Sequence, residues 1–234
     1  MLIPALRFGL GLEPSLAAGT TVVAVFFTTL GGTIRHHRSG HIDWRSIAPV
    51  IASGIVASLL FSLLFPAVAR REGWLDLGIG LVFTLVALRM IAEGVAGPRL
   101  AAFHATVAPG PGKLARKATI GVSAGALPGL LGIGAGAILV PAFRFLLRWP
   151  IKTAMGSSLA CFAVNAGVSA VFKATQGYVD PAVALPASCG TFFGAIVGAA
   201  LNRRFPSQLL QFVFGLVFTY IALKFVLAFS GLHV

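Results

Sequence analysis

Apolar residues run along this chain in long blocks, and polar ones collect between them. Uncharged runs cover Leu16–Ile34, Ser46–Ala69, Ala118–Phe143, Thr153–Phe172, Pro181–Asn202 and Phe205–Leu223. A seventh, from about Trp74 to Val95, is interrupted near its end by Arg89 and Glu93. Each is near or above the roughly 18 apolar residues that mark a membrane-crossing helix. The pattern predicts an all-α polytopic membrane protein with no room for a soluble domain.

One block is unlike the others. Ala118–Phe143 holds 26 uncharged residues, yet Gly121, Gly125, Gly129, Gly132, Gly134 and Gly136 puncture it, with Pro128 and Pro141 inside. A helix interior loses roughly 1 kcal/mol per Gly and about 3 per Pro relative to Ala. The stretch is apolar enough for a membrane and poorly suited to one straight helix. Irregular backbone at membrane depth is tolerated where protein buries it or it lines a wet cavity. Broken helices of this kind hold solutes near the midplane of many transporters.

The chain also resembles itself. A shift of 137 residues lays MLIPALRF on ILVPAFRF and pairs Pro4 with Pro141, Arg7 with Arg144, Gly19 with Gly156, Gly40 with Gly177 and Asp43 with Asp180. A shift of 135 lays Gly80–Thr84 on an identical pentapeptide, Gly215–Thr219. The reading is a duplication: residues 1–95 form a first transmembrane repeat, 96–117 a polar, cytoplasmic connector, and 118–234 a second repeat. In the second copy about twenty Gly-rich residues precede Ile138, where the first copy has Met1. Either the first copy never had that segment or the chain begins late; the late beginning is the favoured expectation.

Charge decides how the glycine stretch runs. If it crosses, ten cations fall on one side and eight on the other. If it enters as two half-helices of about twelve residues and returns, the split is thirteen to five. Cytoplasmic loops carry the excess of Lys and Arg, so a re-entrant hairpin is the expectation, with a tilted, kinked span as the alternative. Each repeat then has three spans plus one broken helix, and the two copies have opposite topology. The net charge of +12, out of 57% hydrophobic and 10% charged residues, belongs to these loops and to anionic lipid. A nucleic-acid partner is not expected.

The candidate solute-binding residues follow from the break and the repeat. Amides freed near Gly132, Gly134 and Gly136 suit an anion. Gly19-Thr20-Thr21 and Gly156-Ser157-Ser158 are repeat-equivalent and open long apolar segments. Their hydroxyls either cap and back-bond to helices or hold an oxyanion. Thr28 and its counterpart Asn165 lie mid-segment, as interhelical glue or as ligands. The stripes Gly121, Gly125, Gly129 and Gly190, Gly194, Gly198 read as packing faces. Arg89 and Lys224 read as snorkelling to headgroups. No catalytic set, metal cluster or cofactor motif is expected, and Cys161 and Cys189 read as packing residues. The acids Glu13, Asp43, Glu72, Asp76, Glu93 and Asp180 read as lying near segment ends or in loops.

GLLGIGAGAILVPAF followed by MGSSL, with the basic loop ending RSGHIDWRSI and its counterpart TQGYVDPAVAL, resembles the TauE/SafE sulfite exporter family. The chain departs from that family's three consecutive glycines at Gly134-Ala135-Gly136, and carries Pro128 before the motif. The resemblance implies a multi-pass transporter of the bacterial inner membrane. Its implied solute is a small sulfur oxyanion or organosulfonate such as sulfite, thiosulfate or sulfoacetate. A non-transporting or degenerate assembly protein of the same family is the alternative.

Overall fold

The computed structural model of the chain describes residues 2–70, 72–96, 113–132, 139–140, 142–143, 147, 149–202 and 207–229. The described part of every apolar run named above falls on a helix or, for the glycine stretch, largely on helical pieces. The long helices are α1 (Pro14–Arg38), α2 (Trp44–Ala69), α3 (Glu72–Ala96), α4 (Lys113–Ala126), α5 (Ile151–Thr175), α6 (Pro181–Asn202) and α7 (Ser207–Phe229). Among the described residues, four helical segments are long and apolar enough to cross a membrane: Pro14–Arg38, Trp44–Ala69, Gly73–Ala92 and Lys152–Thr175. Leucines 60, 63 and 64 on α2 and 81, 85 and 88 on α3 are exposed. That is the surface a helix presents to lipid rather than to water.

The helix ends obey local chemistry. Pro14 opens α1 and Pro181 opens α6, where a missing N–H costs nothing. Asp43 accepts the Ser46 amide at the start of α2, and Asp180 accepts the amides of Ala182 and Val183 at the start of α6. Both α1 and α5 finish in a turn closed by a left-handed glycine, Gly40 at φ +68° and Gly177 at φ +81°.

The chain divides into two compact units, residues 1–70 with 109–192 and residues 71–108 with 193–234. In the first, α1 and α5 run antiparallel: the start of each lies on the turn that ends the other, Gly19 against Tyr178 and Gly156 against His41. Helix α2 runs parallel to α5, with Gly54 against Asn165, Ser62 against Ser169 and Phe65 against Tyr178. In the second unit, α3 and α7 are antiparallel, with Phe83 stacked on Phe218 and Phe225.

The glycine stretch is broken, as its composition predicts. Helix α4 loosens at Pro128 into a π-type turn over Leu127–Leu131 and stops at Gly132, which is left-handed at φ +70°. Its entering limb, 14 residues of α-helix and five of π-turn, is longer than the twelve expected. Gly121, Gly125 and Gly129 seat it on α2, facing Val50, Gly54 and Phe61 in turn, so this stripe does pack. Gly190 and Gly194 meet no described neighbour and are exposed, and the surroundings of Gly198 lie outside the description. Ile120 shares one buried cluster with Leu139, Phe143, Ile47 and Ala154. Both ends of the stretch therefore lie where α2 and α5 begin, and Gly132 lies at the start of α1.

Candidate functional site

The residues singled out from the sequence divide among three levels of the α1–α5 pair. At the start of α1, Gly19 has no space for a side chain because the Tyr178 carbonyl occupies it. Thr20 is fully buried and its hydroxyl accepts the Asp180 amide at 3.1 Å. Thr21 is buried beside it, and its hydroxyl has no hydrogen-bond partner among the described residues. Gly132 reaches the same place, against the backbone carbonyl of Ala18. Any residue with a Cβ there would clash and would also bear the cost of a left-handed conformation. Gly134 and Gly136 lie outside the described residues.

At the opposite end of the pair, Gly156 abuts His41 and His36. Ser158 donates back to the Met155 carbonyl at 2.8 Å, the bland reading of such a hydroxyl. Ser157 is fully buried, and its oxygen has no partner among the described residues. Seventeen residues separate Gly19 from His36, so the two ends are about 25 Å apart along the helix. The end clusters are thus separate places and not one constellation.

Thr28 and Asn165 sit between these levels. The Thr28 hydroxyl pairs with that of Thr191 at 2.9 Å and donates to the Ala24 carbonyl, which makes it interhelical glue. Asn165 behaves differently. It is wholly buried, faces the Cα of Gly54, and neither of its amide atoms has a partner among the described residues. A buried polar group left in that state costs roughly 1–3 kcal/mol. Such groups are uncommon and generally have a reason.

The sequence reading missed Lys173. It was counted with the loop cations, yet it is fully buried near the end of α5, with its ammonium 3.8 Å from the centre of the Phe65 ring. No described residue hydrogen-bonds its Nζ. Residues at i and i+4 stack on one helix face, so Asn165, Ser169, Lys173 and Gln176 form one polar stripe. Ser62 meets Ser169 at 3.4 Å, and Gln176 donates to the Ser62 carbonyl at 3.1 Å. The signal was present in the four-residue spacing of Asn165, Ser169 and Lys173. Lys224 is partly buried over Tyr220, and the Arg89 side chain lies outside the description.

Asp76 lies one turn into α3, near a segment end as its position in the run implies, and is 3% exposed in the second unit. In the first unit Glu13 and Asp43 are exposed and Asp180 is half-buried, all at helix starts. No group of three or more metal-ligating side chains is found among the described residues.

These features can be set beside known proteins. The family model described as "Sulfite exporter TauE/SafE" matches residues 1–225. A "Probable membrane transporter protein" of Xylella fastidiosa is 30% identical over 224 residues, covering 94% of this chain and 83% of that protein. "Probable membrane transporter protein YjnA" of Bacillus subtilis is 28% identical over 230 residues, covering 96% and 90%. "Probable membrane transporter protein MamO" of Paramagnetospirillum magneticum is 30% identical over 145 residues, 58% of this chain and 22% of its own length. No solved structure matches.

Proposed function

The chain belongs to the sulfite exporter TauE/SafE family, and on that premise we propose that it is a secondary carrier of small sulfur-containing anions in the bacterial inner membrane. Sulfite, thiosulfate, sulfoacetate and related organosulfonates are the solute class. Residues 1–95 and 118–234 act as two repeats of opposite topology joined by a cytoplasmic connector at 96–117, an arrangement that suits alternating access.

The observation that carries this reading is the pairing of a broken helix with unpaired neutral donors. Gly132 stops its helix against Ala18 at the start of α1, and three residues on from Ala18 stands Thr21, whose buried hydroxyl has no partner among the described residues. Hydroxyls and backbone amides supply the N–H and O–H donors that an oxyanion's oxygens accept. Efflux of an anion from a cell with a negative interior needs no coupling ion, because the potential supplies about 2.3 kcal/mol per charge per 100 mV.

Flux of the three named anions from proteoliposomes tests the proposal. The wild-type protein is expected to release at least one of them faster than protein-free vesicles, with acceleration by an imposed potential. Thr21→Val and Ser157→Ala, which remove a hydroxyl without adding bulk, are expected to slow it. Silence toward all three overturns the solute class. Flux that follows a pH gradient and ignores the potential overturns the energetics.

A further inference from the structure

A cation buried in a membrane-spanning helix is costly, and such residues are by default functional. Lys173 is that residue here: 0% exposed, on α5, with no hydrogen-bond partner among the described residues. Its one described contact of note is the face of Phe65. A ring face attracts an ammonium but accepts none of its three N–H donors in the manner of an oxygen. Two turns earlier on the same stripe, Asn165 is also fully buried with both amide atoms unpartnered. The two are about 12 Å apart along the axis, and Ser169 stands between them, touching Ser62. Gln176, one turn beyond, holds the Ser62 carbonyl with its nitrogen while its oxygen is unpartnered.

The duplication adds an independent observation. The residue 137 positions before Lys173 is His36, at the other end of the α1–α5 pair beside Gly156. Its Nδ1 likewise has no partner among the described residues. A nitrogen-bearing side chain thus stands at equivalent positions at both ends of one helix pair, and His36 lies against the helix start that carries the buried, unpartnered Ser157.

We propose that Lys173 is the cationic contact of the carried anion, with Asn165 its next polar contact along the α5 stripe. The ligand class is a small oxyanion, which supplies the acceptor oxygens that the ammonium otherwise lacks. Phe65 holds the side chain in place without neutralising it, so the anion can leave. This assignment rests on the anion-carrier reading above and adds to it the residue that selects the sign of the solute's charge.

The test is sulfite flux from vesicles carrying the wild type, Lys173→Met, Lys173→Gln or Lys173→Arg, with the sulfite-induced rise in melting temperature measured on each in detergent. Loss of a charge-assisted hydrogen bond predicts a fall of about tenfold or more in the two neutral variants, with retention in Lys173→Arg. The sulfite-induced stabilisation should vanish with the flux. Should Lys173→Met not be recovered folded, the Gln and Arg pair decides. Equal flux in those two overturns the proposal, as does a neutral variant that melts early yet keeps its full response to sulfite. Wild-type vesicles that carry none of the sulfur anions overturn the parent reading. Wild-type flux matched by the neutral variants overturns this one alone.

Discussion

Gly19 lies directly against the backbone carbonyl of Tyr178. Add 137 to the first residue and subtract it from the second, and the contact becomes Gly156 against His41, which is also present. The exchange holds at mid-helix: Thr28 pairs with Thr191, and Asn165 faces Gly54. It holds in the terminal turns as well, where Tyr178 donates to the Lys173 carbonyl and His41 to that of His36. In the second unit, at the shift of 135, Gly80 lies against Val226 and Gly215 against Ile91. Equivalent helices therefore meet through reciprocal contacts in each unit, and in each they run antiparallel.

Close approach of this kind makes a side chain at Gly19 expensive. The obstacle is a backbone carbonyl, which cannot swing aside as a side chain can. Gly19→Ala is expected to lower stability by about 1–3 kcal/mol, the usual range for overpacking. Gly190→Ala, at a helical glycine with no described neighbour within reach, is expected to lower it by none. Thermal unfolding of the two variants in the same detergent checks both, and equal melting temperatures would refute the close contact.

Asn165 and Thr28 occupy equivalent positions but should answer differently to substitution. Thr28→Val breaks a pair with Thr191, and a double-mutant cycle over the two hydroxyls is expected to give about 0.6 kcal/mol of coupling, the average for hydrogen bonds between membrane helices. Asn165→Leu removes an amide that has no described partner, so it costs little stability or gains some while reducing anion flux. A large loss of stability in Asn165→Leu would instead identify the amide as structural.

What the sequence made legible follows from the length over which each signal acts. Membrane helices announce themselves over some twenty residues, and four of the seven runs lie on described helices long and apolar enough to cross. The break at Gly132 was legible because Pro and Gly act on the backbone locally. The reciprocity of Gly19 and Gly156 was visible as a repeat but not as a contact, since the partner carbonyls of Tyr178 and His41 belong to turns with no unusual composition beyond their glycines. Lys173 was misread for a related reason. A lysine two residues from a helix end is ordinarily in the headgroups, and here the neighbouring α2 covers it through Phe65.

The cap at Asp43 gives a dependence on pH. Hydrogen bonds from the Ser46 side chain and amide hold the Asp43 carboxyl below the ordinary carboxylate range. A carboxyl depressed in the folded state contributes stability that is present above its unfolded value, about 4, and is lost as pH falls through the folded value. Asp43→Ala is expected to cost about 1 kcal/mol at pH 7, with the gap to the wild type closing below about pH 4. Asp43→Asn, which keeps an acceptor at every pH, should cost less and show no such closing. Melting curves across pH 3–7 would show it, and a gap independent of pH would remove Asp43 from the cap.

The path of the glycine stretch is open to a direct test of sidedness. Ile120 and Phe143 share a cluster with Ile47 and Ala154, so the chain before the stretch and the chain after it emerge at one end of the first unit. Single cysteines at the exposed positions Ser39, Ala115, Lys152 and Thr175 report on this. The background needs only the exposed Cys189 replaced, because Cys161 is buried. An impermeant thiol reagent applied to oriented vesicles is expected to reach Ser39→Cys, Ala115→Cys and Lys152→Cys from one face and Thr175→Cys from the other. The shared face should be the cytoplasmic one, since it gathers thirteen of eighteen Lys and Arg side chains when the stretch returns and the positive excess marks the cytoplasm. Ala115→Cys and Lys152→Cys labelled from opposite faces would mean that the stretch crosses the membrane. The unpaired donors near Gly132 would then face a path built differently from the one proposed.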